Sequence, residues 1–116
     1  MAKVNIIKEK SYAFALEIIG LVKGFPRNNE GFIIGKQLLR SATSIGANVE
    51  EAVGAFTKRE FTYKMSIALK EARETNYWLR LVRDSKISTD DLDDYVDKPG
   101  ELRKILTAIV KKSRED

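Results

Sequence analysis

Residues 34 to 52 carry Ile34, Leu38, Ala42, Ile45, Val49 and Ala52, apolar positions separated only by steps of three and four. Such spacing returns to one side of an α-helix, whereas strand side chains alternate with period two. The beat recurs in three other segments. From about residue 8 to 23 the apolar residues are Tyr12, Phe14, Ala15, Leu16, Ile18, Ile19, Leu21 and Val22. Phe61, Met65, Ala68, Ala72, Thr75, Leu79 and Val82 form a third stripe. Leu92, Tyr95, Val96, Leu102, Ile105, Leu106, Ile109 and Val110 mark a fourth. No stretch alternates long enough to make a strand, so the class is all-α.

The breaks between these segments carry helix stop and start signals. Gly24 is placed as a C-cap with Pro26 just beyond, and "PRNNEG" reads as a loop. After "GAFT", Thr57 and Glu60 have the spacing of a capping box, and Ser88 and Asp91 suggest a second, with Ile87 and Leu92 set for a hydrophobic staple. Pro99-Gly100 predicts a kink or break in the last helix. The expectation is a single domain, residues 1–116, with helices over about 8–23, 31–54, 58–84 and 89–113. Short connections make this an up-down-up-down antiparallel four-helix bundle.

A chain of 116 residues has room for one core. It contains no cysteine and no histidine. That removes thiolate and imidazole ligands, the disulfide option and the usual general base near neutral pH. No enzyme activity, metal or cofactor is expected, and a reducing compartment suits the composition. Charges at Lys8, Glu9, Lys10 and Glu17 spoil any signal-sequence reading of the N-terminus, and no apolar run reaches membrane-spanning length. A cytoplasmic location, with no membrane partner, is the expectation.

Apolar surface exceeds the needs of one bundle. The first helix is apolar over most of its circumference, and the third has a second edge at Ile67, Trp78 and Leu81. A lone helix in such a bundle needs an apolar arc of only about 100°. Either the core is wide and Trp78 is a partly exposed surface ring, or copies of the chain associate. The second reading is preferred.

Two constellations stand out from the stripes. In "RSATSIGANVEEA", Ser41, Ser44, Asn48 and Glu51 share one side of the second helix, with Arg40 beside them. They read as a satisfied polar seam that fixes register within the bundle or between subunits. A groove contacting a ligand or nucleic acid is the alternative. Catalysis is disfavoured, because these serines have no activating base. Arg40 and Glu51 are not partners within one chain, being about 16 Å apart along a helix. On the third helix, Arg59, Tyr63, Ser66, Lys70, Arg73, Tyr77 and Arg80 form one basic face with interleaved rings. Such a face suits phosphates and unpaired bases. Glu60, Glu71 and Glu74 dilute it, and a solvated helix surface is the rival reading. Charge is uneven along the chain: residues 1–86 hold 15 Lys/Arg against 9 Asp/Glu, and residues 87–116 hold 6 against 8. A basic body permits a polyanionic partner.

"LLRSATSIGANVEEA", followed by "FTYKMSIALKEARETNYWLRL", resembles the bacterial family of four-helix-bundle proteins encoded in intervening sequences of the large-subunit ribosomal RNA gene. Leu38, Arg40, Ser41, Ser44, Ile45, Asn48, Val49 and Glu51 match its usual pattern. The family's next glycine is Ala52 here, and "AF" replaces its arginine near residue 55 or 56. The resemblance implies a ring, typically a homopentamer. A related branch, the accessory protein of diversity-generating retroelements, is a basic ring that binds nucleic acid. The functional expectation is therefore a non-enzymatic, ring-forming accessory protein that binds RNA or DNA. The alternative is an interaction scaffold with a protein partner and no nucleic acid; a small-molecule-binding bundle is a distant third.

Overall fold

α1 spans Ala2–Lys23, α2 Asn29–Val53, α3 Lys58–Ser85 and α4 Asp93–Glu115 in a computed structural model that describes residues 2–115. The four elements match the expected number and order, and their boundaries show where local chemistry overrides the stripes. α1 begins well before residue 8, because half-buried Val4 and buried Ile7 continue the inward side made by Ser11, Phe14, Ile18 and Leu21. The charges at Lys8, Glu9 and Lys10 fall outside that side. Gly24 does not adopt a left-handed cap. Instead Gly24 N–H donates to Leu21 O at 3.1 Å and Phe25 N–H to Val22 O at 3.0 Å, closing the helix with a tightened last turn.

α2 starts at Asn29 because Asn28 caps it, its Oδ1 accepting from Gly31 N–H at 2.8 Å. A Cβ on Gly31 would collide with the Pro26 carbonyl, so only glycine fits at this loop-to-helix junction. Thr57 caps α3 by accepting from Glu60 N–H at 3.0 Å. Glu60 reaches back to the amide of Phe56, at 3.4 Å, rather than to that of the capping residue itself. The second expected box does not form. Ser88 Oγ accepts from Asp90 N–H at 3.1 Å and Asp91 Oδ1 from Asp93 N–H at 3.0 Å. These successive side-chain turns delay α4 to Asp93, four residues past the expected start. Leu92 is buried there, and Ile87 packs against the core. Of the kink or break expected at Pro99, the break is absent, for α4 is one continuous helix from Asp93 to Glu115. The Pro99 ring is fully buried, and that burial offsets the backbone hydrogen bond it cannot make.

The helices form an elongated antiparallel bundle, 47 × 22 × 18 Å, with α2 and α4 as neighbours of both α1 and α3. Ile18, Leu38, Ile45, Met65, Leu79 and Leu106 are completely buried along its axis. The α2–α3 contact is the most extensive and α1–α4 the least. Ion pairs bracket that thin seam: Lys10 Nζ lies 2.6 Å from Glu101 Oε1, and Lys98 Nζ lies 2.5 Å from Glu17 Oε2. No described helix is long and apolar enough to cross a membrane.

Lys10 holds the Glu101 carboxyl below its ordinary pKa, chiefly through their hydrogen bond, and Glu17 likewise raises that of Lys98. A depressed carboxyl stabilises the fold above its ordinary pKa, and that contribution vanishes as pH falls through the lowered value. Glu101→Gln is therefore expected to cost about 0.5 kcal/mol or less at neutral pH, since the pair is exposed. The gap from wild type should close on acidification, as read by urea unfolding across a pH series. A second expectation concerns Lys86, the α3 C-cap, which is left-handed at φ 60°. Side chains other than glycine strain in that region, so Lys86→Gly should raise stability by about 0.5–1 kcal/mol, seen as a higher urea midpoint at unchanged slope.

Candidate nucleic-acid interface

The polar stripe of α2 lies along the α2–α3 seam of a single chain. Ser41 is fully buried, and its hydroxyl donates to Leu38 O at 3.2 Å. Thr75 of α3, also buried, stands 3.0 Å from Ser41 Oγ and 2.7 Å from Glu71 O, its one proton serving either acceptor. Ser44 Oγ donates to Arg40 O at 2.6 Å, and Asn48 Nδ2 donates to Ser44 O at 2.8 Å. Among the described residues no buried side-chain nitrogen or oxygen lacks a partner. Small side chains here admit close approach, and each hydroxyl settles its own proton locally.

The charged ends of the stripe find partners on α3. Glu51 accepts from Lys64 Nζ at 3.0 Å, and this carboxylate holds the Lys64 ammonium above its ordinary pKa. Arg40 reaches two carboxylates one turn apart, with Nη1 3.4 Å from Glu71 Oε1 and Nη2 paired to Glu74. Glu74 also accepts from the Trp78 indole N–H at 2.9 Å. Trp78 is half-buried and packs against the core, so the bundle itself accounts for part of the second apolar edge of α3.

The basic face of α3 is open to solvent. Arg59, Tyr63, Lys70, Arg73, Tyr77 and Arg80 are all exposed, and Ser66 between them is half-buried. The face runs about 30 Å from Arg59 to Arg80 at the helical rise. Glu71 and Glu74, expected to dilute it, are drawn to the α2 side by Arg40. Among the described residues, Arg59, Lys70 and Arg73 form no ion pair. Arg80 is steadied by donating Nε–H to Asn76 Oδ1 at 2.9 Å, while Asn76 donates to Val96 O of α4 at 3.0 Å. Asp84 pairs with Arg83 at 2.8 Å, which lowers its carboxyl pKa. Tyr63 and Tyr77 remain 63% and 47% exposed, and Tyr77 meets Trp78 edge-on with centroids 5.0 Å apart. An exposed ring held by a neighbour is a ready stacking platform.

Packing also gathers residues that the sequence reading left outside the basic face, Arg114 among them as a helix C-terminal charge. Lys58 of α3 and Arg114 of α4 meet beside Arg59, at one end of the basic face. The available signal was the pair Lys58–Arg59 in the first turn of a helix, where the macrodipole disfavours cations. Phe32 and Ile33 of α2 join Tyr12 and Leu16 of α1 as large apolar side chains left exposed, each by more than half. Phe56, in the α2–α3 turn, is 99% exposed.

The Ser41–Thr75 contact makes a quantitative prediction. Thr75→Val should cost about 1 kcal/mol, and Ser41→Ala a similar amount. The double variant should cost less than the sum, because it leaves no oxygen facing an apolar wall, as each single variant does. Urea unfolding of the four proteins checks the cycle, and strict additivity would remove the coupling.

The family model described as 23S rRNA-intervening sequence protein matches residues 3–108. A crystal structure at 1.70 Å of a protein of unknown function from the S23 ribosomal protein family of Bacteroides thetaiotaomicron VPI-5482 has the same fold, with a TM-score of 0.85. The two are 42% identical over 94% of this chain and 98% of that one. No functionally curated protein matches the chain. With the motif of α2 seated on α3 and nearly the whole length aligned, the chain belongs to the 23S rRNA-intervening sequence protein family.

Proposed function

We propose that this protein is a non-enzymatic, ring-forming bundle, homopentameric as its family resemblance suggests, that binds nucleic acid along the outer face of α3. The observation carrying the reading is the segregation of charge at that helix. Arg40 gathers Glu71 and Glu74 on the α2 side, leaving Arg59, Lys70, Arg73 and Arg80 on the solvent side with two tyrosines. Phosphate contacts are individually weak and add up through counterion release. Association of copies multiplies them, and the exposed Tyr12, Leu16, Phe32 and Ile33 offer apolar surface for a neighbouring copy to cover. The hydroxyls of Ser41 and Ser44 are spent on backbone carbonyls, which supports the absence of a nucleophile. A protein-binding scaffold without nucleic acid is the second reading, favoured by the bare Phe56 ring.

Four phosphate contacts per protomer predict that log affinity for a single strand falls with log salt at a slope of about −3. Lys70→Glu/Arg73→Glu/Arg80→Glu together should abolish binding in fluorescence anisotropy while helix content and assembled mass persist. Unchanged affinity in that variant would refute the face. Light scattering after size exclusion, with and without nuclease, reports mass and co-purifying nucleic acid at once. A monomer at high micromolar concentration would sink the ring, and an assembled ring without nucleic acid at low salt would favour the scaffold.

A further inference from the structure

At the Arg59 end of the basic face, the first turns of α3 and the last turn of α4 flank a shallow, open recess of about 590 Å³. Three cationic side chains line it, Lys58 and Arg59 from α3 and Arg114 from α4, and no carboxylate does. None of the three is in an ion pair with a described residue. Glu60, the acidic residue of the first turn of α3, is turned away onto the Phe56 amide. Arg114 complements the dipole of α4 from its last turn, but Lys58 and Arg59 begin α3, where cations oppose the helix dipole, so folding gives no reason for those two.

The rest of the lining adds a second chemistry. The hydroxyls of Thr62 and Ser66 donate to the backbone, to Lys58 O at 3.0 Å and Thr62 O at 2.8 Å, and Ser113 meets Thr62. Their protons are committed, so they offer lone pairs to a donor such as a sugar hydroxyl. Tyr63 lines the same recess with a largely exposed ring.

We propose that this recess seats the phosphorylated end of a nucleic-acid strand: the terminal phosphomonoester among the three cations, its sugar against the hydroxyls and its base on Tyr63. A monoester carries close to two negative charges at neutral pH where an internal diester carries one, so clustered cations favour the end over the middle of a strand. The inference rests on the reading of α3 above but can fail separately.

The test uses the intact protein and one short single-stranded oligonucleotide with a 5′-phosphate, a 3′-phosphate or hydroxyls at both ends. One phosphorylated form should bind about tenfold tighter than the unphosphorylated form in anisotropy. Lys58→Gln/Arg114→Gln should erase that gain, so that the phosphorylated and unphosphorylated strands bind the variant equally, whatever affinity both lose in common. Equal affinity for all three ends, or a gain that survives the double variant, overturns the proposal. If no oligonucleotide binds, the reading of the face fails, and the recess is judged by titrating adenosine monophosphate against adenosine. Saturable NMR shifts at Thr62, Ser66 and Ser113 with the nucleotide alone would uphold it; no shifts, or equal shifts with both, would overturn it.

Discussion

Arg40 sets the distribution of charge across the α2–α3 seam. Its guanidinium crosses from α2 to two carboxylates of α3, and its position is fixed by the close packing of Ser41 on Thr75 one residue further along. An exposed ion pair contributes little to stability by itself. The larger effect is on where charge stands. With Glu71 and Glu74 drawn to one flank of α3, the opposite flank is left basic, although the helix as a whole is not strongly so. Register and electrostatics are thus one problem in this bundle, solved at one seam.

The contrast with the α1–α4 seam is instructive. The α2–α3 seam buries Ser41 against Thr75 and matches small side chains on both helices, so sliding by one turn would break that contact and set larger side chains against each other. At α1–α4 the polar contacts are lysine–carboxylate pairs with about half of each side chain in solvent. Such pairs tolerate rearrangement. The bundle therefore has a specified edge and an adaptable one.

Helix number, order and inward residues could be read from spacing alone, because steps of three and four recur without interruption through Ile34 to Ala52 and Phe61 to Val82. The helix starts were less legible. Charges at Lys8 to Lys10 hid the outer end of α1, although Val4 and Ile7 keep its inward beat, and the side-chain turns of Ser88 and Asp91 replaced the capping box expected at α4. The basic face was visible as a period. Its freedom from Glu71 and Glu74 was not, since that depends on an arginine of another helix. The recess at Lys58 and Arg114 was out of reach for the same reason, being a meeting of distant chain segments.

The two lysine–carboxylate bridges of the α1–α4 seam carry a practical consequence. Dissolved ions weaken exposed bridges over the same concentration range in which they strip a polyanion from a basic surface. A high-salt wash meant only to clear adhering nucleic acid also loosens the hold of α4 on the first helix. The loosening lasts only while the salt is present, since the buried side of α1 keeps the helix docked and the bridges re-form on dilution.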